Sequence, residues 1–189
     1  MYLKKLSTAL DLSFTFKFLG LFAVLYYFHL FYWGLTTPDG TVYSSFLDLH
    51  FNYINWWTSL IVHTAKAASA TLGLVTEIKG LKTLQTNNGS WVNVNFACLG
   101  FGVLSFWFAF VWASRVGLRK MMMWTLAGLI GFFVLNSIRI CVLLYALHQN
   151  WQVNRFMDHH ETFNVITYLF IFLLIYLFSR VPDQKVKSV

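Results

Sequence analysis

The sequence predicts an all-α polytopic membrane protein with about four transmembrane helices, an outer amphipathic helix and a short β-hairpin. Three observations predict this fold class. Of the 189 residues, 58% are hydrophobic and only 11% are charged, which a water-soluble domain could not keep off its surface. The apolar residues form four long runs, and the basic residues cluster beside them. No linker or change of composition marks a boundary, so residues 1–189 are expected to form a single membrane-embedded domain.

Four segments are long and apolar enough to cross a hydrocarbon layer of about 30 Å. They are about residues 14–35, 97–114, 121–147 and 163–178. The N-terminal part resembles the basic start of a signal peptide, but the apolar run that follows is long and lacks an A-x-A-like cleavage site. We therefore expect an uncleaved first membrane helix.

The basic residues predict the orientation of the chain. They cluster at both termini and between the second and third spans, and the positive-inside rule assigns such segments to the cytoplasm. The whole net charge of +7 falls on this side, so it is a topology signal and does not indicate nucleic-acid binding. The expectation is a multi-pass protein of the cytoplasmic (inner) membrane, with both termini cytoplasmic and residues 36–96 extracytoplasmic.

This extracytoplasmic insert contains two predicted elements. Within about residues 46–70, polar side chains recur at steps of three or four, which is typical of an amphipathic helix. The polar positions are Asp48, Asn52, Asn55, Ser59, His63 and Lys66. Such a helix lies at the membrane interface or lines a wet cavity more readily than it spans. Further along, alternating residues around Asn87-Asn88-Gly89 predict the β-hairpin.

Two residues next to the apolar runs stand out chemically. Cys98 lies where a polar segment turns into an apolar one. Arg139 lies within an apolar helix, about 9 residues and so roughly 13 Å below its outer end. An arginine in such a place costs about 2.5–3.5 kcal/mol and usually faces a partner or a wet cavity, and Asn136 is one turn away. Cys141 stands in apolar company and is interpreted as packing.

Four adjacent titratable residues precede the last span: Asp158, His159, His160 and Glu161. They could be a solvated loop end, a helix cap or a metal site, because histidine and carboxylate suit divalent ions. Adjacent side chains on a helix point about 100° apart, so only one histidine easily faces a given point. The metal signal is weak, and we expect no metal or other cofactor.

The predicted topology brings Cys98, Arg139 and the histidine pair near the outer ends of neighbouring helices. A thiol is a nucleophile as the thiolate, which nearby cations favour. Histidine can take or return the proton, and arginine can hold a developing oxyanion. Taken together, these residue types indicate acyl transfer through a thioester.

Three separated motifs carry a resemblance to a known family. They are "ACLG" with Cys98, "NSIRI" with Arg139, and "HHETFN" with His159 and His160. In these motifs, in their order and in their intervals, the chain resembles the exosortase/archaeosortase family of membrane-embedded cysteine transpeptidases over about residues 92–177. The chain departs from the family pattern at Leu99, where Ser or Ala is usual. It departs also at Asn164, where glycine usually follows the histidine by four positions.

The resemblance implies a transpeptidase or protease that cleaves a C-terminal sorting signal of secreted proteins at the outer membrane face. It would pass them to a surface acceptor through a thioester. Cys98, Arg139 and His160 would be catalytic, with His159 in reserve. Possible substrate contacts are Asn136, Asp158, Asn55 and His63. The partners implied are membrane lipid, secreted proteins with a motif–helix–basic signal, an unidentified surface acceptor and a possible membrane partner protein, but no nucleic acid.

Other readings stay open at this point. The chain could be a non-catalytic membrane assembly partner with the same fold, which Leu99 and Asn164 would permit. It could also bind a metal or haem through His159 and His160 together with His63 or His148. A small transporter with Arg139 along its pathway is a further alternative.

Overall fold

The computed structural model describes residues 12–38, 42–149 and 159–182, and of residues 159–162 it describes the backbone only. Six α-helices and three β-strands occur in this part of the chain. The helices are α1 Leu12–Thr36, α2 Ser45–Phe51, α3 Tyr53–Thr71, α4 Phe101–Ala113, α5 Leu118–His148 and α6 His159–Arg180. The strands are β1 Thr76–Lys79, β2 Thr83–Thr86 and β3 Trp91–Asn93, and a 3₁₀ turn, Phe96–Leu99, precedes α4.

Four of these helical segments could cross a membrane by length and composition within the described residues. They are α1, the turn with α4 (Phe96–Ala113), α5, and the part of α6 from Phe163 to Arg180. Helix α3 is not among them. The predicted fold class, an all-α polytopic membrane protein with a small β element, is confirmed, and the chain is a multi-pass membrane protein.

Helices α1 and α4 run antiparallel and are joined by aromatic contacts along their length. Phe18 meets Phe106 edge to face at 5.2 Å between ring centroids, and His29 stacks on Phe101 at 4.6 Å. Aromatic residues at four-residue steps make a ridge along α1, because residues i and i+4 share one helix face. We call the end of the bundle that carries the Phe96–Leu99 turn the Cys98 end.

Helix α5 is the central helix and contacts α3, α4 and α6. The buried Trp107 of α4 donates its indole N–H to the Trp124 carbonyl at 2.9 Å. Toward α6, the Phe132 and Phe170 rings meet edge to face at 5.4 Å. At the opposite end of the bundle, Lys120 Nζ donates to the Val181 carbonyl at 2.5 Å. We call this the Lys120 end.

The segment that sequence analysis interpreted as one amphipathic helix is two helices, α2 and α3, separated at Asn52. The Asn52 side chain accepts the Asn55 backbone N–H at 2.9 Å and so caps α3. Its amide donates to Asp48 Oδ1 at 2.7 Å. The continuous stripe drawn through Asp48 and Asn52 was therefore wrong, because this asparagine is buried and starts a new helix.

The small sheet is antiparallel in the order β1-β2-β3. Strands β2 and β3 form the hairpin expected around Asn87-Asn88-Gly89, and β1 adds a third strand on the other side of β2. The turn attaches to the end of α5: Asn88 Nδ2 donates to the His148 carbonyl at 3.3 Å and Ser90 Oγ to the Leu147 carbonyl at 3.4 Å. The last part of α5 is thus packed against the sheet as well as against α3.

Candidate functional site

Cys98 lies in the 3₁₀ turn that leads into α4. Asn95 begins this turn, and both its backbone carbonyl and its side-chain Oδ1 accept the Cys98 N–H, at 2.9 Å and 3.2 Å. The Cys98 side chain is half-buried and its thiol is free, as is that of Cys141, which is buried. The turn therefore holds the Cys98 backbone by a local cap and leaves its side chain partly accessible.

The carbonyl of Leu99, the next residue, is held from two sides. Trp57 of α3 donates its indole N–H to this oxygen at 3.2 Å, and Asn136 of α5 donates its amide N–H at 3.2 Å. A carbonyl oxygen has two lone pairs, so both are engaged. The Cys98 turn is thereby fixed between α3 and α5 at a buried position, since Leu99 is 1% exposed.

Gly100 follows the turn and is the residue that makes this close approach possible. Its φ is +75°, a left-handed conformation that glycine adopts without a steric penalty. A Cβ placed on Gly100 would stand 2.5 Å from Asn136 Nδ2. The small residue is required both by the backbone conformation and by the asparagine that holds the turn.

Arg139 lies one helical turn after Asn136 and connects α5 to α6. Its guanidinium carbon is 5.5 Å from the centre of the Phe163 ring, within the range of a cation–π contact. Asn136 and Arg139 therefore join the Cys98 turn on one side and the beginning of α6 on the other. His160 is the second residue of α6, one turn before Phe163.

The structure thus brings the three motif-bearing segments to one end of the bundle. The side chains of His159 and His160 are outside the described part of the molecule, and so is Asp158 altogether. What is established is the backbone position of both histidines in the first turn of α6, beside the segment that Arg139 contacts.

Arg139 lies close to the level of the Cys98 turn along the bundle. Asn136, one helical turn before it, meets the Leu99 carbonyl just before α4 begins. Nine residues of α5 follow Arg139, a rise of about 13 Å, and the end of that stretch is attached to the sheet through the carbonyls of Leu147 and His148. The depth of Arg139 in the membrane stays a prediction.

Asn55 and His63 occupy other sides of α3 from the one that meets the Cys98 turn. At 100° per residue, they lie about 160° and 120° around the helix from Trp57. His63 is exposed, and the Asn55 backbone is engaged in the α3 cap. The polar stripe of α3 therefore faces away from Leu99. The side of α3 that faces Leu99 carries the Trp57 indole.

A hydrogen-bonded aromatic group next to the turn was not found by sequence reasoning. His29 Nδ1 lies 2.7 Å from the Tyr53 hydroxyl, and the Tyr53 ring is 4.6 Å from that of Tyr32. Burial, and then the neighbouring Tyr32, raise the pKa of Tyr53 to about 12, so its phenol stays protonated. Trp57 was also missed. Its position on the apolar face of α3 does not show that its indole N–H has a hydrogen-bond partner in a distant segment.

Loss of the Trp57 hydrogen bond is expected to loosen the Cys98 turn. In Trp57→Phe the ring can still pack on Phe133, 5.4 Å away, but one donor to Leu99 is lost, worth about 1 kcal/mol. Maleimide alkylation of Cys98 in detergent, in a Cys141→Ala background, should become several-fold faster. Trp56→Phe, whose ring is exposed, is the matched control. Equal rates in both variants would contradict this role.

The metal alternative is not tested by the side chains that the structure describes. Among them, no group of three or more His, Cys, Asp or Glu residues is placed to hold an ion. The sequence cluster at residues 158–161 that raised this alternative lies outside the described side chains.

Comparison of the chain with protein-family models, with curated proteins and with solved structures found no match. A functional assignment therefore depends on the residues of this chain and on their contacts.

Proposed function

We propose that this chain is an exosortase-like membrane cysteine transpeptidase. The observation that carries the proposal is the hydrogen bond from Asn136 to the Leu99 carbonyl. It joins the cysteine motif to the arginine motif, and Gly100 is the small residue that this contact requires. The contact between Arg139 and Phe163 connects these two motifs to the segment that carries the third, the histidine motif.

In the proposed reaction, His160 takes the proton of the Cys98 thiol. The thiolate attacks the carbonyl carbon at the cleavage position, and Arg139 stabilises the resulting oxyanion. Collapse breaks the C–N bond, forms a thioester on Cys98 and expels the amine of the C-terminal fragment, which takes the proton from His160. An amine or hydroxyl of the acceptor then gives its proton to His160, attacks the thioester carbon and displaces the Cys98 thiolate, which takes that proton back from His160.

The proposed substrates are secreted proteins with a C-terminal motif, a membrane helix and a basic cluster. The substrate helix would lie beside the spans of the cytoplasmic (inner) membrane and present its cleavage position to Cys98 on the extracytoplasmic side. The Asn136 amide N–H is engaged by Leu99, so we assign Asn136 to positioning the Cys98 turn. Asp158 remains a proposed substrate contact, and His159 remains the reserve for the catalytic role of His160. Asn55 and His63 face another side of α3 and are left out of it.

Replacing the nucleophile or the arginine is expected to abolish processing. The host strain with the gene deleted should accumulate full-length proteins that carry such a C-terminal signal, detected by mass spectrometry of membrane-fraction C-termini. The intact chain should restore cleavage, whereas Cys98→Ala and Arg139→Ala should not, with membrane insertion unchanged. Cys141→Ala, which removes a buried thiol of no proposed role, is the matched control and should restore cleavage.

Full processing by the Cys98→Ala protein would exclude this mechanism. If the deletion strain shows no uncleaved signal-bearing proteins, the enzyme assignment fails as well. Copurification of other membrane proteins, unaffected by Cys98→Ser, would then favour a non-catalytic assembly partner.

A further inference from the structure

The short helix α2 is tied to the Cys98 end of α1. The Tyr32 hydroxyl donates to the Phe51 carbonyl at 2.6 Å, and the Ser44 N–H donates to the Leu35 carbonyl at 2.9 Å. Tyr32 and Leu35 belong to the last two turns of α1. Since α1 is a membrane-spanning helix of 25 residues, about 37 Å long, its last turns lie at the boundary of the hydrocarbon core, and α2 lies there too.

Helix α2 exposes large apolar side chains at this level. Phe46 is 62% exposed, Leu49 80% and Phe51 54%, and the Phe46 and Phe51 rings are 5.9 Å apart. Phe46 and Leu49 are about 60° apart around the helix, and we call these two residues the α2 apolar face. Phe51, at the end of α2, lies about 140° from Phe46 and adds its ring beside that face. An exposed apolar cluster of this kind marks a surface that meets a partner or a membrane.

The polar groups of α2 are compatible with contact to lipid. Asp48 lies about 100° around the helix from Leu49 and about 160° from Phe46. Its carboxylate accepts hydrogen bonds from Tyr43, at 2.9 Å, and from Asn52, at 2.7 Å. The bond with Asp48 raises the pKa of Tyr43, which keeps that phenol neutral. His50, beside the Phe46 ring at 5.1 Å, is the polar residue at the edge of the face.

The α2 apolar face also continues the lipid-facing surface of α1. Phe28 is 51% exposed on α1, and its ring is 5.8 Å from that of Tyr32. Tyr32 in turn holds Phe51 through the hydrogen bond described above. Phe28 and Phe51 are thus exposed on either side of the partly buried Tyr32, whose hydroxyl joins the spanning helix to α2. A membrane interface favours tyrosine, which combines an apolar ring with a polar tip.

We propose that α2 docks into the lipid leaflet at the Cys98 end, with Phe46 and Leu49 among the headgroups and the upper acyl chains. The partner is the phospholipid surface itself. Because α2 leads through Asn52 directly into α3, which holds the Cys98 turn through Trp57, lipid contact at α2 fixes the height of the turn above the membrane. The docking does not depend on the chemistry proposed for Cys98.

A spin label at Leu49 tests the docking. Leu49→Cys is made in a Cys98→Ser, Cys141→Ala background of the full chain, labelled with a nitroxide and reconstituted at low density in phosphatidylcholine vesicles. Molecular oxygen concentrates in lipid and a nickel chelate stays in water, so the ratio of their collision rates reports depth. Leu81→Cys is the matched control, an exposed leucine (58%) in the β1–β2 turn. Phe46→Cys gives a second position on the face.

The expected result is a ratio of oxygen to nickel collisions at least several-fold higher at positions 49 and 46 than at position 81. Similar ratios at all three positions would mean that α2 is in water and would overturn the proposal. Low collision rates with both reagents at position 49, with an immobilised spectrum, would mean that protein covers the face. A second copy or another chain would then be the occupant, and the lipid proposal would fall.

Discussion

Gly100→Ala is expected to disrupt the Cys98 turn and to cost far more stability than an ordinary glycine-to-alanine change. The left-handed conformation at φ +75° costs an alanine about 1–2 kcal/mol. The added Cβ, 2.5 Å from Asn136 Nδ2, must also displace the side chain that holds the Leu99 carbonyl. We expect a lower melting temperature in detergent and a markedly faster alkylation of Cys98.

Gly80→Ala separates the two causes. Gly80 also has a positive φ, +64°, but open space where the Cβ would stand. Gly80→Ala should therefore lose only the stability that the positive φ costs an alanine, and the alkylation rate of Cys98 should stay unchanged. Adding Asn136→Ala to Gly100→Ala should recover part of the stability, because the clash is then removed. Equal melting temperatures and alkylation rates for the Gly80 and Gly100 variants would show that Asn136 imposes no constraint.

Gly128→Ala is expected to destabilise the packing of α4 on α5, although alanine is normally the better helix former by about 1 kcal/mol. An added Cβ would overlap the indole nitrogen of Trp107, which is fully buried. The indole cannot turn away freely, because its N–H donates to the Trp124 carbonyl. Overpacking costs about 1–3 kcal/mol and an unsatisfied buried donor about 1–3 kcal/mol more.

Gly20→Ala is the matched control, and we do not expect it to destabilise the protein. Gly20 lies inside α1, and nothing stands within 4 Å of its added Cβ, so the variant should melt at the same temperature as the parent or slightly higher. Thermal unfolding of both variants in the same detergent measures the difference. A Gly128→Ala protein as stable as Gly20→Ala would show that Trp107 does not need the space left by the glycine.

The sequence predicted the elements whose formation depends on local pattern. Four long apolar segments are set by the length of chain needed to cross a bilayer, and the described helices include four that meet this condition. The turn at Asn87-Asn88-Gly89 could be predicted because Gly89 provides the positive φ that such a turn requires. Within the candidate site, Cys98, Arg139 and the histidine pair were distinguished by the chemistry of their side chains and by motif resemblance.

Contacts between distant parts of the chain had no such local signal. The sequence shows Asn52 as one more polar residue at helical spacing, but tertiary packing buries it and makes it a cap. Neither Trp57 nor Asn136 reveals in its own neighbourhood that both reach the carbonyl of Leu99. The sequence by itself therefore determined the four membrane-spanning segments, and it singled out the residues that we propose carry the chemistry. Only the tertiary structure decided how the Cys98 turn is held and where Arg139 lies, because both depend on the pairing of helices far apart in the chain.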